Sequence, residues 1–278
     1  MSPTDNANNA NNENNEDNAN NATPNSINDE DTPQSENQRL QEARIHLKLQ
    51  LMFVTGGEYR RGLKASLALV NTMLRHPHLF NSNSGGSRDG MAGVTAEELY
   101  DKLWYPVLLP LFEDSPIPIR FHIQRPVQRQ EEQEHPMTDE DRAFASRVQV
   151  NLLLDHDHGA YNLAIIEIAK DLEHARICES RIENYAEGKA MTERLATILP
   201  EDQAVTFVVQ IAGHSGKVIS FRKAAQYITI ATPAELNLQL PTNLVSFPVF
   251  GETLRNLLRF KERVNVTGNL ILERLSSH

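Results

Sequence analysis

The sequence predicts a mainly α fold, with antiparallel helix pairs stacked into a superhelix behind a disordered N-terminal tail. Three observations lead there. Gly56-Gly57 separates two runs of apolar residues at helical spacing. A similar corner recurs at Gly159. The chain opens on a tract too polar to form a core. Strand is the competing reading near 119–123 and 205–221, where short β-favouring runs occur.

The tail comes first. Twelve of the first 28 residues are Asn, and residues 1–37 carry eight acidic side chains with no Lys or Arg. Almost nothing there offsets the entropy of ordering, so 1–37 reads as disordered. The chain's net charge of −10 is therefore largely a property of the tail. The remainder holds 29 acidic against 27 basic residues, which argues against a nucleic-acid surface. No basic start with an apolar core suggests a secretory leader, and no long apolar window suggests a membrane span. One cysteine, Cys178, excludes an internal disulfide and reads as a small buried hydrophobe in a cytoplasmic protein.

Residues 38–77 form the first predicted unit, a helical hairpin. Leu40, Leu47, Leu51 and Val54 share one helical face, and Tyr59, Leu63, Leu67, Val70 and Leu74 share another. Pro77 ends the second run. A lone hairpin cannot bury its own apolar face and needs a neighbour to stack on. Residues 78–137 read as an insertion. A polar loop leads to Thr95, an N-cap for a helix that Pro106 and Pro110 should kink or end. Ile119–Ile123 is compatible with strand or helix, and 124–136 is a charged loop.

A helical-repeat region is predicted over 138–232. Phe144, Val148 and Leu152 suggest one helix, and Ile165, Ile168 and Leu172 begin the next. The stretch 203–232 fits either two strands or a third helical pair; the helical spacing of Phe221, Ala224, Ala225 and Tyr227 tilts it to helix. Residues 233–278, with an amphipathic helix from Gly251 to Val264, read as a C-terminal cap.

The chemistry-bearing motifs fail one by one. Asp155-His-Asp-His158 alternates around a turn without a third ligand at metal spacing. A phosphate loop ending at Gly216-Lys217 has Ile211 where its first Gly should be and Val218 where its hydroxyl should be. A nucleophile elbow over Gly213-His-Ser215-Gly216 meets Lys217 in its last place. His156, His158 and His214 stay as acid–base candidates for an enzyme of unknown class, but their spacing defines no mechanism. The expectation is no catalytic residue, no cofactor and no metal. The second alternative is a transcriptional cofactor with an Asn-rich arm.

The two corners, Gly57-Glu-Tyr59-Arg-Arg-Gly62-Leu63 and Gly159-Ala-Tyr161-Asn-Leu-Ala164-Ile165, share the pattern Gly-x-Tyr-x-x-small-aliphatic. This resembles the inter-helix corner of a tetratricopeptide repeat, in which Gly turns, Tyr wedges and the small residue admits the neighbouring helix. Together with PLFEDSPIPIRFHIQ at 110–124, the order of corners resembles the tetratricopeptide region of subunit 12 of the trafficking protein particle (TRAPP) tethering complex. The resemblance implies a non-catalytic scaffold or adaptor with protein partners, subunits of a multiprotein complex. It implies vesicle tethering between endoplasmic reticulum and Golgi, and a cytoplasmic, peripheral location at those membranes.

Overall fold

The computed structural model describes residues 33–80, 93–124, 147–157, 159–170 and 183–277. It is an α/β protein built on a mixed sheet, not a helical repeat. Among the described residues six strands pair in sequence order, β1 (Ile119–Gln124), β2 (Val148–His156), β3 (Gly159–Ala169), β4 (Val205–Ala212), β5 (Ser215–Ala225) and β6 (Ile228–Gln239). All neighbours are antiparallel except β3 and β4. That parallel pair needs a crossover, and α5 (Glu183–Leu195) lies in it.

The tetratricopeptide expectation fails because i, i+4, i+8 spacing also satisfies a period of two. Val148 and Leu152 sit four apart, yet Val150 and Leu154 complete with them the core-facing side of a strand that is buried on both faces from 148 to 154. The run Leu163-Ala-Ile-Ile-Glu-Ile-Ala169 is a central strand buried on both faces, with Ile165 on one side and Ile166 and Ile168 on the other, supported by β-branched residues. The stretch 203–232, tilted to helix by its spacing, is three strands. Ala212 faces Ser215, leaving Gly213-His214 as a two-residue hairpin loop, with Gly213 at φ 58 supplying the positive dihedral. Residues 119–123, compatible in sequence with either state, belong to strand β1.

The helices form a layer on one side of the sheet. These are α1 (Pro33–Phe53), α2 (Gly57–Arg75), α3 (Ala96–Leu99), α4 (Tyr105–Phe112) and α6 (Val249–Ser276). α2 packs between α1 and α4, and α6 runs against β6, α4 and the sheet centre. Leu69, Leu108, Leu152, Ile166, Val209 and Phe260 belong to the main core. Phe207 of β4 meets Phe260 of α6 edge-on, with ring centroids 5.7 Å apart.

Thr95 caps α3 by accepting from the Glu98 amide at 3.1 Å. The chain then makes one wide π turn, Tyr100–Trp104, before α4 begins. Of the expected kink or end at the prolines, the end does not occur. α4 restarts at Tyr105, so Pro106 falls in its first turn, where a missing N–H costs little, and the helix continues through Pro110.

Opposite this layer lies α5, over a smaller cluster of Ile165, Met191, Val208, Ile219 and Phe221. Gly188 lets it settle: a Cβ there would stand 2.6 Å from the Phe221 ring. Thr192 of α5 and Thr206 of β4 join hydroxyls beneath it at 2.7 Å. No helix among the described residues is long and apolar enough to cross a membrane.

Candidate functional site

The structure takes the two supposed repeat corners apart. Gly57 opens α2 at φ 78, in keeping with a turn, but Tyr59 is 63 % exposed and wedges nothing. Gly62 is buried against Leu254 of α6, where a Cβ would stand 3.0 Å from Leu254 Cδ2, so it admits α6 and not the first helix of its own pair. Gly159 sits at φ 130 where β2 turns into β3. Tyr161 and Ala164 are strand residues, the latter fully buried in the main core. The six positions do not form one surface.

The acid–base candidates separate as well. His156 ends β2 beside the start of β3, whereas Gly213 donates to the Ala169 carbonyl at the far end of β3. The length of β3 puts His156 and His214 roughly 35 Å apart. His158 and Cys178 lie outside the described residues. Asp155 is gripped by Arg120 through two hydrogen bonds of 2.8 and 3.0 Å, which hold its carboxyl below the usual range. Among the described residues no three His, Cys, Asp or Glu side chains group as metal ligands.

His214 is held in a structural corner. Its ring packs on Phe80 at 5.4 Å, and burial pushes its pKa down to about 4, so it is neutral at pH 7. Its Nε2 is buried without a hydrogen-bond partner. Ser215, the neighbouring hydroxyl, donates to Gln239 Oε1 at 2.7 Å and not to the imidazole. No nucleophile–base pair exists at this turn.

Two other features stand out. The first is helix α1, which is apolar on two opposite sides. Leu40 and Leu47 face the core. Ile45, Leu49, Met52 and Phe53, at i, i+4, i+7 and i+8, form a second stripe exposed by 55, 49, 75 and 82 %. The helical wheel places Lys48 on one flank of this stripe and His46 on the other, both exposed. Glu42, at the stripe's N-terminal end, accepts a hydrogen bond from Gln38 at 3.2 Å. Periodicity read for a single buried face captures Leu40, Leu47, Leu51 and Val54 and passes over the outer stripe. Testing the complementary face would have found it.

The second feature is polar and lies on the α5 side of the sheet. Gln124, Gln149, Glu167, Gln210, Lys217 and Asn237 are successive register partners, one on each strand. Strand alternation places this row opposite the main core. Arg147 pairs with Glu167 at 2.9 Å, with both side chains largely buried, and Gln149 donates to Glu187 of α5 at 3.2 Å. Beside the row, β1–β3 and α5 enclose a cleft of about 240 Å³. Asn151, 2 % exposed, and Asn162 line it, and the Oδ1 of each is buried without a partner. The alternation of apolar and amide residues in Val148-Gln-Val-Asn-Leu152 is the signal for this cleft in the sequence, and it becomes legible only once β2 and β3 are recognised as strands.

No protein-family model, no curated protein and no solved structure matches the chain. The expectation of a repeat related to the TRAPP subunit therefore has neither a family match nor the fold in its favour. The vesicle-tethering reading loses the resemblance that supported it.

Proposed function

We propose that the protein is a non-catalytic interaction module that docks an amphipathic helix of a partner protein along the outer face of α1. The observation that carries this reading is the exposed stripe of Ile45, Leu49, Met52 and Phe53 directly opposite the face that α1 buries. A helix needs one apolar face to join a core. A second, contiguous one is a cost in water unless something covers it.

The flanks select the occupant. Lys48 borders the stripe, so a second copy of α1 packed antiparallel would set this ammonium against its own kind. A partner helix with an apolar stripe bordered by Asp or Glu meets both the greasy surface and the charge. The mainly Asn-rich N-terminal tract has too few apolar residues to serve as that cover.

The test compares tagged full-length protein with the double variant Leu49→Asp, Met52→Asp after purification from its native cells and cross-linking. Support requires a stoichiometric partner, lost in the variant at unchanged melting temperature, whose cross-linked segment is an acid-flanked amphipathic helix. Equal recovery with both proteins would overturn the proposal. So would a concentration-dependent dimer abolished by the variant, which would put a second copy on the stripe.

A further inference from the structure

We infer that the outer edge of β6 over residues 228–232 is an interaction surface, and that its occupant is the same strand of a second copy, paired antiparallel about Ile230. This surface is separate from the α1 stripe, which lies on a different element.

β6 is the last strand of the sheet, and among the described residues only β5 pairs with it. An open edge presents a row of N–H and C=O groups that a further strand fits. Proteins ordinarily close such edges with charge, proline, a bulge or a covering element. The C-terminal end of β6 is closed in this way. Thr253 of α6 accepts from the Gln239 amide at 2.8 Å and donates to its carbonyl at 2.6 Å. Asn256, one turn on, donates to the Asn237 carbonyl at 2.8 Å. Side chains of a helix thus take the hydrogen bonds that another strand would make there.

The run Ile228-Thr-Ile-Ala-Thr232 has none of these devices. It carries no charge and no proline, and four of its five residues are β-branched, which favours pairing. Its register against β5 runs without a bulge from Thr229 to Thr232. Among the described residues no hydrogen bond reaches it from outside the β5–β6 hairpin. Tyr227, Ile228 and Ile230 are all exposed.

The geometry selects the occupant. Pro233, which has no N–H, closes the open run on one side, and the Gln226-Tyr227 loop closes it on the other, leaving Ile230 at its centre. Antiparallel pairing about that residue is a twofold arrangement. Ile230 lies opposite its own copy and Ile228 opposite Thr232, so the contact closes at two molecules. Ala231 and its register partner Phe221 belong to the face under α5. Ile228 and Ile230 stand on the other face, where the pairing lays the isoleucines of the two copies against one another.

Charge does not oppose this contact. Arg222 is the register partner of Ile230, so the two copies of Arg222 lie three strand spacings apart, about 14 Å. Physiological salt screens exposed charges over roughly 8 Å. A five-residue edge is at the small end of specific interfaces, which makes the dimer a weak one.

The experiment is sedimentation velocity on the full chain from about 10 µM to about 1 mM, with amide exchange followed at both ends of that range. The expected result is a monomer–dimer equilibrium with a Kd on the order of 100 µM, and slower exchange at residues 228–232 at the higher concentration. Ile230→Lys and Ile228→Lys, each at an exposed position, should weaken the dimer by roughly tenfold or more at an unchanged circular dichroism spectrum. The α1 variant Leu49→Asp, Met52→Asp should leave it intact. A monomer throughout, a dimer indifferent to both lysine variants, a dimer lost in the α1 variant, or dimerisation without slower exchange at 228–232 would each overturn the assignment. So would recovery from native cells of a different protein cross-linked to this edge.

Discussion

Thr72 Oγ1 stands 2.9 Å from the carbonyl oxygen of Lys102, the carbonyl to which Pro106 has no N–H to offer. The same hydroxyl lies 3.0 Å from Ala68 O in its own helix. One buried threonine of α2 thus serves a helix end that proline leaves short of a donor. Thr72→Val keeps the shape and removes the donor. We expect a loss of about 1–3 kcal/mol in urea unfolding, with Thr72→Ser close to wild type.

Trp104 performs a longer-range version of the same task. Its Nε1 donates to the Gly213 carbonyl at 2.9 Å, fastening the helix layer to the β4–β5 turn across 109 residues of sequence. Trp104→Phe should cost about 2–4 kcal/mol, combining a lost hydrogen bond with a void in the core. Amide exchange at residues 213–215 should accelerate more than at β2, which is the readout that separates a loosened turn from general destabilisation.

The buried imidazole beside that turn makes stability fall in acid. His214 has an ordinary pKa of 6.5 when unfolded and about 4 in the native protein, lowered by burial. Between those values the unfolded chain binds a proton that the native state refuses. Stability therefore declines as pH falls from about 6.5 to about 4, by up to about 3 kcal/mol, and is unaffected by this group above that window. His214→Phe, which also removes the unpartnered Nε2, should match or exceed wild-type stability at pH 7 and show a shallower acid slope. An unchanged slope would mean that other groups dominate.

Gly188 sets how closely α5 approaches the sheet. Gly188→Ala places a methyl 2.6 Å from the Phe221 ring, so one of them must move. The overpacking should cost about 1–3 kcal/mol, less the roughly 1 kcal/mol that Ala contributes to a helix over Gly. In a Phe221→Leu background the same substitution should become neutral or stabilising, a coupling that a double-mutant cycle in thermal unfolding would measure.

Much of the local structure was legible in the sequence, but the architecture was not. Helices over the Leu40–Val54 and Tyr59–Leu74 runs, the Thr95 cap, and turns at Gly57, Gly159 and Gly213 all follow from residue chemistry. The tetratricopeptide reading went wrong at Val148, Leu152, Ile165 and Ile168, whose four- and three-residue spacings fit a helix when read alone. The alternate residues Val150, Leu154 and Ile166 complete a strand. The rule for helices and the rule for strands overlap at i and i+4, and only partners brought from far along the chain separate them. For the same reason the interaction stripe of α1 was partly readable, since it needs one helix, whereas the cleft needs three strands and α5.

By itself, the sequence determined the helical runs of Leu40–Val54 and Tyr59–Leu74 and where glycine must turn the chain, but not the start of α1, which reaches back to Pro33 into the tract 1–37 expected to be disordered. Only the tertiary structure decided that β3 and β4 run parallel beneath α5, that Gly62 admits α6, and that Asn151 and Asn162 come together beside one cleft. Local preferences are set by neighbours within a few residues. Strand pairing and burial are set by contacts between residues distant in sequence, and those contacts exist only in the folded chain.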